Sequence, residues 1–577
     1  MSLETGVVDE LFARRFDEGL TPGLVYAVVR DGELVHTGAF GSVDLDGTTP
    51  PGVDSVFRIA SMSKSFTAAA LLLLRDRGLV DLDETVAQYV PELVDQPPYS
   101  ADSPAVTLRL LLTMAAGLPT DDPWGDRQES LSYDAFGTFL DGGFATGREP
   151  GTGFEYANLG YALLGRVIEN VTGGDTAEGA NRRFVEAELL APLGMTSSAY
   201  DPGDRADRVP GHVKRSDGWH EVAPVPPGAF SAMGGLHSSV TDLARWVGGF
   251  TAAFRPGRDG HPLSKASRRE MQQLHRVAGV EGRLAVWGAE PGLGAVATGY
   301  GYGLMVDHDA RLGQIVHHSG GYPGYGSRMV WHPATGLGVV TLSNGTYAGA
   351  YEQAMTATRL LVRQVLDGQG TARWSAPVRG LRDRLDEALE HAVERLRTFD
   401  TEGEEVFADP ARFADNVPLD VPDAERRVQL REARAKVGLP LDRPVGASWS
   451  RAMAHALVVV PAERGRYDVE VLLSPEAEPR LQALRATAVP DAPEALVALA
   501  RETLAGDTAE AGVLRALGTP ELVPAPVMCD GEGTAELLVS AGPTWWKLVV
   551  ADGATTLAPH PTSAYERLEY LAAMLLG

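Results

Sequence analysis

The stretch Phe57–Asp83, "FRIASMSKSFTAAALLLLRDRGLVDLD", sets Ser61 and Lys64 three residues apart at the head of a strongly apolar run. The run reads as a buried helix. Residues i and i+3 share a helix face, so the spacing brings the Lys64 amine against the Ser61 hydroxyl. A serine becomes a nucleophile when a base takes its proton, and a lysine is that base only where burial or nearby cations keep it neutral. The apolar "FTAAALLLLRD" supplies the burial. Taken alone, the pair is more readily an N-capping serine beside a solvated lysine, so the motif needs company.

At 577 residues and 44% hydrophobic content, the chain exceeds the roughly 250–300 residues that one core organises, and at least two domains are expected. A net charge of −26 argues against nucleic acid or an anionic membrane surface as the main partner. The single cysteine, Cys529, excludes an intrachain disulfide and a thiolate metal site. The opening "MSLETGVVDELFARRFDEGL" has neither a basic n-region nor an apolar h-region, and no later run reaches the roughly 18 apolar residues of a membrane span. The expected location is the cytoplasm, with no membrane partner.

Outward from the quoted stretch, "GLVYAVVRDGELVHTGAFG" alternates with period two around Asp31-Gly32 and reads as a hairpin. Downstream come the apolar "VTLRLLLTMAAGL", the turn signals of "GREPGTG" and an amphipathic helix in "YALLGRVIENVTG". Residues 315–344 again read as paired strands. Strands bracketing a helical middle predict an α+β domain over residues 1–368, an antiparallel sheet with helices packed on it. Residues 369–400, with Leu381, Leu385, Leu389 and Leu396 on one stripe, read as a helical linker. Residues 401–577 alternate strand and helix patterns and read as a separate C-terminal α+β accessory domain.

Two further segments answer the first. Tyr156-Ala157-Asn158 precedes the second helix; a phenol beside a lysine relays protons, and an asparagine orients the amine or binds a substrate amide. His318-Ser319-Gly320-Gly321 falls on a predicted strand, where glycines allow close backbone approach and an imidazole offers a donor. Either segment alone is an ordinary turn or strand.

Ser-x-x-Lys, then Tyr-x-Asn, then a basic residue-x-Gly is the ordered triplet of the penicillin-recognising serine hydrolases, and the chain resembles them from about Leu20 to Leu366. Within that superfamily it looks most like the class C β-lactamase branch, which includes DD-peptidases, D-aminopeptidases and family VIII esterases. The resemblance implies that Ser61 attacks a carbonyl with help from Lys64 and Tyr156, forming an acyl-enzyme, and that Tyr156 protonates the leaving group. It implies backbone N–H groups of Ser61 and Gly321 as the oxyanion site, and Asn158, His318, Ser319 and Gly320 as substrate-binding. No metal or organic cofactor is required.

β-Lactamases of that branch usually carry Lys-Thr-Gly where this chain has His318-Ser319-Gly320, so a permanent cation gives way to a group expected to titrate near 6.5. A second match, His36-Thr37-Gly38, precedes the nucleophile and is assigned to a strand end. The implied function is hydrolysis of an ester or amide in a small-molecule or peptide-like substrate, as an esterase, D-aminopeptidase or amidase. The alternatives are a DD-carboxypeptidase or weak β-lactamase, and a catalytically silent binding or regulatory protein. The C-terminal domain either selects substrates or serves stability and homo-oligomerisation.

Overall fold

In the computed structural model, Asp31 and Gly32 both take positive φ, the type I′ geometry that matches strand twist. They close the hairpin of β1 (Gly23–Arg30) and β2 (Glu33–Gly41). The structure describes residues 3–559 apart from 123, 174–176, 288–289, 310–311, 369–380, 401–406, 408, 442–453, 507–510, 513, 516–518 and 542–543. By its contacts the chain forms two units, one of Met1–Arg283 with Gly294–Val365, the other of Leu284–Leu293 with Leu366–Gly577.

The first unit is built on an eight-stranded sheet that also contains β3 (Arg276–Trp287), β4 (Glu290–Tyr300), β5 (Met305–Asp309), β6 (Gly313–Tyr322), β7 (Tyr325–His332) and β8 (Leu337–Ser343), in the order β2-β1-β8-β7-β6-β5-β4-β3. The hairpin is therefore stitched to the strand farthest from it in sequence, with Leu24 opposite Ser343 and Arg30 opposite Leu337. Every residue of central β8 is buried, whereas edge strand β2 alternates exposed and half-buried positions. That contrast is what burial on two faces against one demands. The strands β3, β4 and β5 had no counterpart in the sequence reading.

Helix α1 (Gly6–Asp17) opens the chain, and α2 (Ser63–Asp76) runs through the core with every residue from Ser63 to Leu74 buried. Around it stand α3 (Asn158–Thr172), the single turn α4 (Ser231–Gly234) and α5 (Val240–Ala252), while α6 (Tyr351–Gly368) ends the unit's chain. Phe66 stacks on Trp246 of α5 at 3.9 Å between ring centroids, and Trp246 donates its indole N–H to Ser65 Oγ at 3.1 Å.

The second unit holds a three-stranded sheet of β9 (His455–Ala462), β10 (Gly465–Leu473) and β11 (Leu481–Pro490), and a four-stranded one of β12 (Pro520–Cys529), β13 (Thr534–Ala541), β14 (Thr544–Ala551) and β15 (Ala554–Pro559). The expected linker differs from the observation. Helix α7 (Leu381–Thr398) buries Leu385, Leu389 and Leu396 in this unit's own core beside Val458 and Val469. A leucine stripe that wide seeks a partner surface, and the sheet provides it. The connector at 369–380 lies outside the described residues. No described helix is long and apolar enough to cross a membrane.

Leu72 is fully buried in the middle of α2. Leu72→Ala is expected to destabilise the protein by about 2–5 kcal/mol, seen as a lower urea midpoint by circular dichroism; an unchanged midpoint would contradict the packing described.

Candidate functional site

The nucleophile candidate stands on a strained turn. Ala60 takes φ +48 although it is not glycine, and Ala60–Met62 form one 3-10 turn that runs into α2. Such strain persists only where neighbours fix it. Here Ile59 N–H donates to Leu236 O at 2.9 Å and Ser63 Oγ to Ala60 O at 2.6 Å. Ser61, partly exposed, caps no helix. The N-cap alternative therefore fails, and so does the solvated lysine, because Lys64 is fully buried.

The Lys64 amine donates to Ser61 Oγ at 2.9 Å, Asn158 Oδ1 at 2.7 Å and Met233 O at 2.8 Å. Burial lowers its pKa to about 8, even though Asp122, Asp121, Asp126 and Glu129 pull the other way. A neutral amine keeps two N–H groups and a lone pair. With the asparagine and the Met233 carbonyl holding the two N–H groups, the lone pair faces the Ser61 hydroxyl, which is the geometry of a base.

Tyr156, just ahead of α3, is a hydrogen-bonding partner of Ser61, and burial pushes its phenol well above the usual value despite that contact. Its ring lies 5.0 Å from Lys64 Nζ. A phenol so disposed stays protonated and can donate, while the Lys64 amine gives up its proton more readily.

Asn158 was expected to bind substrate, and the structure gives it another task. It is fully buried, its Oδ1 is held by Lys64, and its Nδ2 donates to Asp121 Oδ1 at 3.1 Å and to Asp122. Both amide hydrogens and one acceptor site of Oδ1 are thus engaged inside the protein. Asp121 also accepts from the backbone N–H of Asn158 at 2.7 Å and of Leu159 at 2.8 Å, satisfying the orphan donors at the start of α3.

His318 is likewise turned inward. It is 2% exposed; Nδ1 lies 2.7 Å from Ser319 O and Nε2 3.0 Å from the Tyr300 hydroxyl. Burial, and then the Lys64 charge, lower its pKa to about 3. The imidazole is neutral at pH 7, Nδ1 donating to the carbonyl and Nε2 accepting from the phenol, so the expectation of a charge change near 6.5 does not hold. Its neighbour His317 points the other way, to Asp307 at 3.4 Å, as alternation requires. The other match, His36-Thr37-Gly38, lies in mid-strand on β2 rather than at its end, with His36 Nε2 2.5 Å from Asp9.

Gly320 and Gly321 owe their identity to close approach. A Cβ on Gly320 would stand 2.1 Å from Ile59 O and 2.3 Å from Ser327 Oγ; one on Gly321 would meet the Tyr347 ring at 2.5 Å. Gly320 thus seats β6 against the nucleophile's turn rather than admitting substrate. Pro323-Gly324 joins the Tyr322–Tyr325 pair as a two-residue turn, which makes that pair hydrogen-bonded and leaves the N–H groups of Ser319 and Gly321 pointing away from β7. On that side β5 pairs only as far as Met305 opposite His317. Ser319 and Gly321 therefore offer amides beyond the end of β5.

Sequence reasoning missed Arg58, Glu129, Asp121 and Asp122. Arg58 and Glu129 pair at 2.8 Å, both nearly fully buried. The one legible signal was an arginine inside the apolar "FRIASM"; the acidic segment "DDPWGDRQE" carries no periodicity. Tyr347, whose ring lies against Gly321, is 43% exposed and donates to Asp126 Oδ2 at 2.5 Å.

A family model described as Beta-lactamase matches residues 8–364. Penicillin-binding protein 4* of Bacillus subtilis is 26% identical over 357 residues, which is 58% of this chain and 71% of that protein. Protein flp of Staphylococcus aureus is 24% identical over 351 residues, 58% of this chain and 62% of its own length, less than two thirds. The octameric penicillin-binding protein homologue from Pyrococcus abyssi, 18% identical, covers 97% of this chain and 99% of its own at a TM-score of 0.51, a likeness of fold.

Gly320→Ala is expected to shift β6 off the turn and slow labelling of Ser61 by a fluorophosphonate by about 10²-fold with an unchanged circular dichroism spectrum. A wild-type labelling rate would separate β6 from the site.

Proposed function

The chain belongs to the Beta-lactamase family, and we propose that it is a serine hydrolase acting through an acyl-enzyme on an ester or amide, of the esterase, amidase or D-aminopeptidase type. The observation that carries this is the buried Lys64 amine, 2.9 Å from Ser61 Oγ with its other hydrogens held by Asn158 and Met233. Ser61 attacks as Lys64 takes its proton; the oxyanion falls between the amides of Ser61 and Gly321; Tyr156 passes the proton to the leaving group; water then releases the acyl group.

The surroundings favour one part of this substrate range. A cation at the third motif would add attraction for a carboxylate-bearing substrate, and His318, with its pKa lowered to about 3 by burial, does not supply one. The charges that act on Lys64 from the same region are carboxylates, Asp122 and Asp126 among them. Neutral or amine-bearing esters and amides suit this field better than acyl-D-Ala-D-Ala peptides or β-lactams.

Three measurements bear on this reading. Ser61→Ala is expected to abolish p-nitrophenyl ester hydrolysis while leaving the fold intact; wild-type turnover in that variant would refute the nucleophile. The active form has Lys64 neutral, and the neutral fraction grows as pH rises through about 8, so kcat/KM should climb across that range and level off above it. A profile flat from pH 6 to 9 would remove Lys64 as the base. In a side-by-side panel, the ester and a D-amino acid amide should exceed acyl-D-Ala-D-Ala in kcat/KM; the reverse order would restore the carboxypeptidase reading. The Pyrococcus abyssi homologue is octameric, and homo-oligomerisation is proposed here too; light scattering giving the mass of one 61.4 kDa chain would reject it.

A further inference from the structure

We propose that the buried Arg58–Glu129 ion pair is a positioning device that grips both ends of the helical turn α4 and thereby sets the Met233 carbonyl against Lys64. The inference rests on the serine hydrolase reading and adds two residues outside its three motifs. Glu129 Oε1 accepts from Ser231 Oγ, the first residue of α4, at 2.8 Å. Arg58 Nε donates to the carbonyl of Gly234, the last, at 3.1 Å. Between these grips, Ala232 O accepts from Thr67 Oγ1 at 2.7 Å and Met233 O from Lys64 Nζ at 2.8 Å.

A four-residue turn has too few internal hydrogen bonds to hold its own shape. Its carbonyls stay aimed at α2 only if something outside fixes both ends. The backbone closes tightly on the pair: a Cβ on Gly235 would stand 2.6 Å from Glu129 Oε1. Arg58 also lies over the Tyr322 ring at 3.8 Å, and Tyr322, at the end of β6, donates to Asp126 O at 3.0 Å. One guanidinium thus joins the turn that holds the base, the strand end beside Gly321 and the acidic segment. Stability does not account for such a pair, because an apolar pair of similar volume is commonly neutral or better in a core. Placement of the lysine does.

The test replaces both charges at once, in Arg58→Met/Glu129→Leu, so that neither is left buried alone. The device predicts a folded protein whose kcat for a p-nitrophenyl ester falls about 10- to 100-fold, whose KM stays within about threefold, and whose rising pH limb moves from its wild-type position. A folded double variant with wild-type kcat and pH profile overturns the proposal. Arg58→Lys keeps the charge but not the planar fork that reaches Glu129 and Gly234 together. If the double variant does not fold, this one decides: a lowered kcat with a moved pH limb supports the proposal, and wild-type values for both overturn it. Ser61→Ala runs in the same assay, and residual turnover there refutes the hydrolase reading rather than the positioning role.

Discussion

A single lysine amine taken wholly out of water is the constraint around which the first unit is arranged. Transfer of an ammonium into a protein interior costs several kcal/mol, and the chain meets that cost from two directions. Three oxygens, from Ser61, Asn158 and Met233, surround Lys64 Nζ within 2.9 Å. Four carboxylates, Asp121, Asp122, Asp126 and Glu129, act on it through space. Neither is enough to restore its ordinary basicity, and the pKa is left at about 8, close enough to physiological pH for a proton to move either way.

The rest of the unit is legible as support for that amine. Helix α2 supplies the apolar surroundings, α3 presents Asn158 with its amide locked by Asp121 and Asp122, and α4 presents a bare carbonyl. The sheet brings β6 up to the nucleophile's turn at a position only glycine fits. A neutral His318 in the third motif fits the same logic, since a second cation beside Lys64 would press it further toward neutrality while costing its own burial.

Much of this could be read from the sequence because it is local. Ser61 and Lys64 are three residues apart, Tyr156 and Asn158 flank one helix start, and the hairpin around Asp31-Gly32 follows from alternation and a turn signal. What escaped reading is long-range. The direction in which His318 and Asn158 face is decided by Tyr300, Asp121 and Asp122, residues 18, 37 and 36 positions away. Their capacity for hydrogen bonding was visible, but not that it is spent inside the protein. Helix α7 was misread for a related reason: its charges mark a solvated face, while its leucines find their partner in strands more than fifty residues on. Arg58 joins Glu129 and Gly234, and no spacing rule connects the three.

The central claim, that burial lowers the pKa of Lys64 far enough for it to act as the base for Ser61, is tested most directly by titrating its side chain. With five lysines in the chain, 13C-lysine labelling yields few enough Cε resonances for Lys64→Met to identify the one in question. The account predicts that this resonance titrates near pH 8. Titration at the ordinary lysine value of about 10.4 would contradict it.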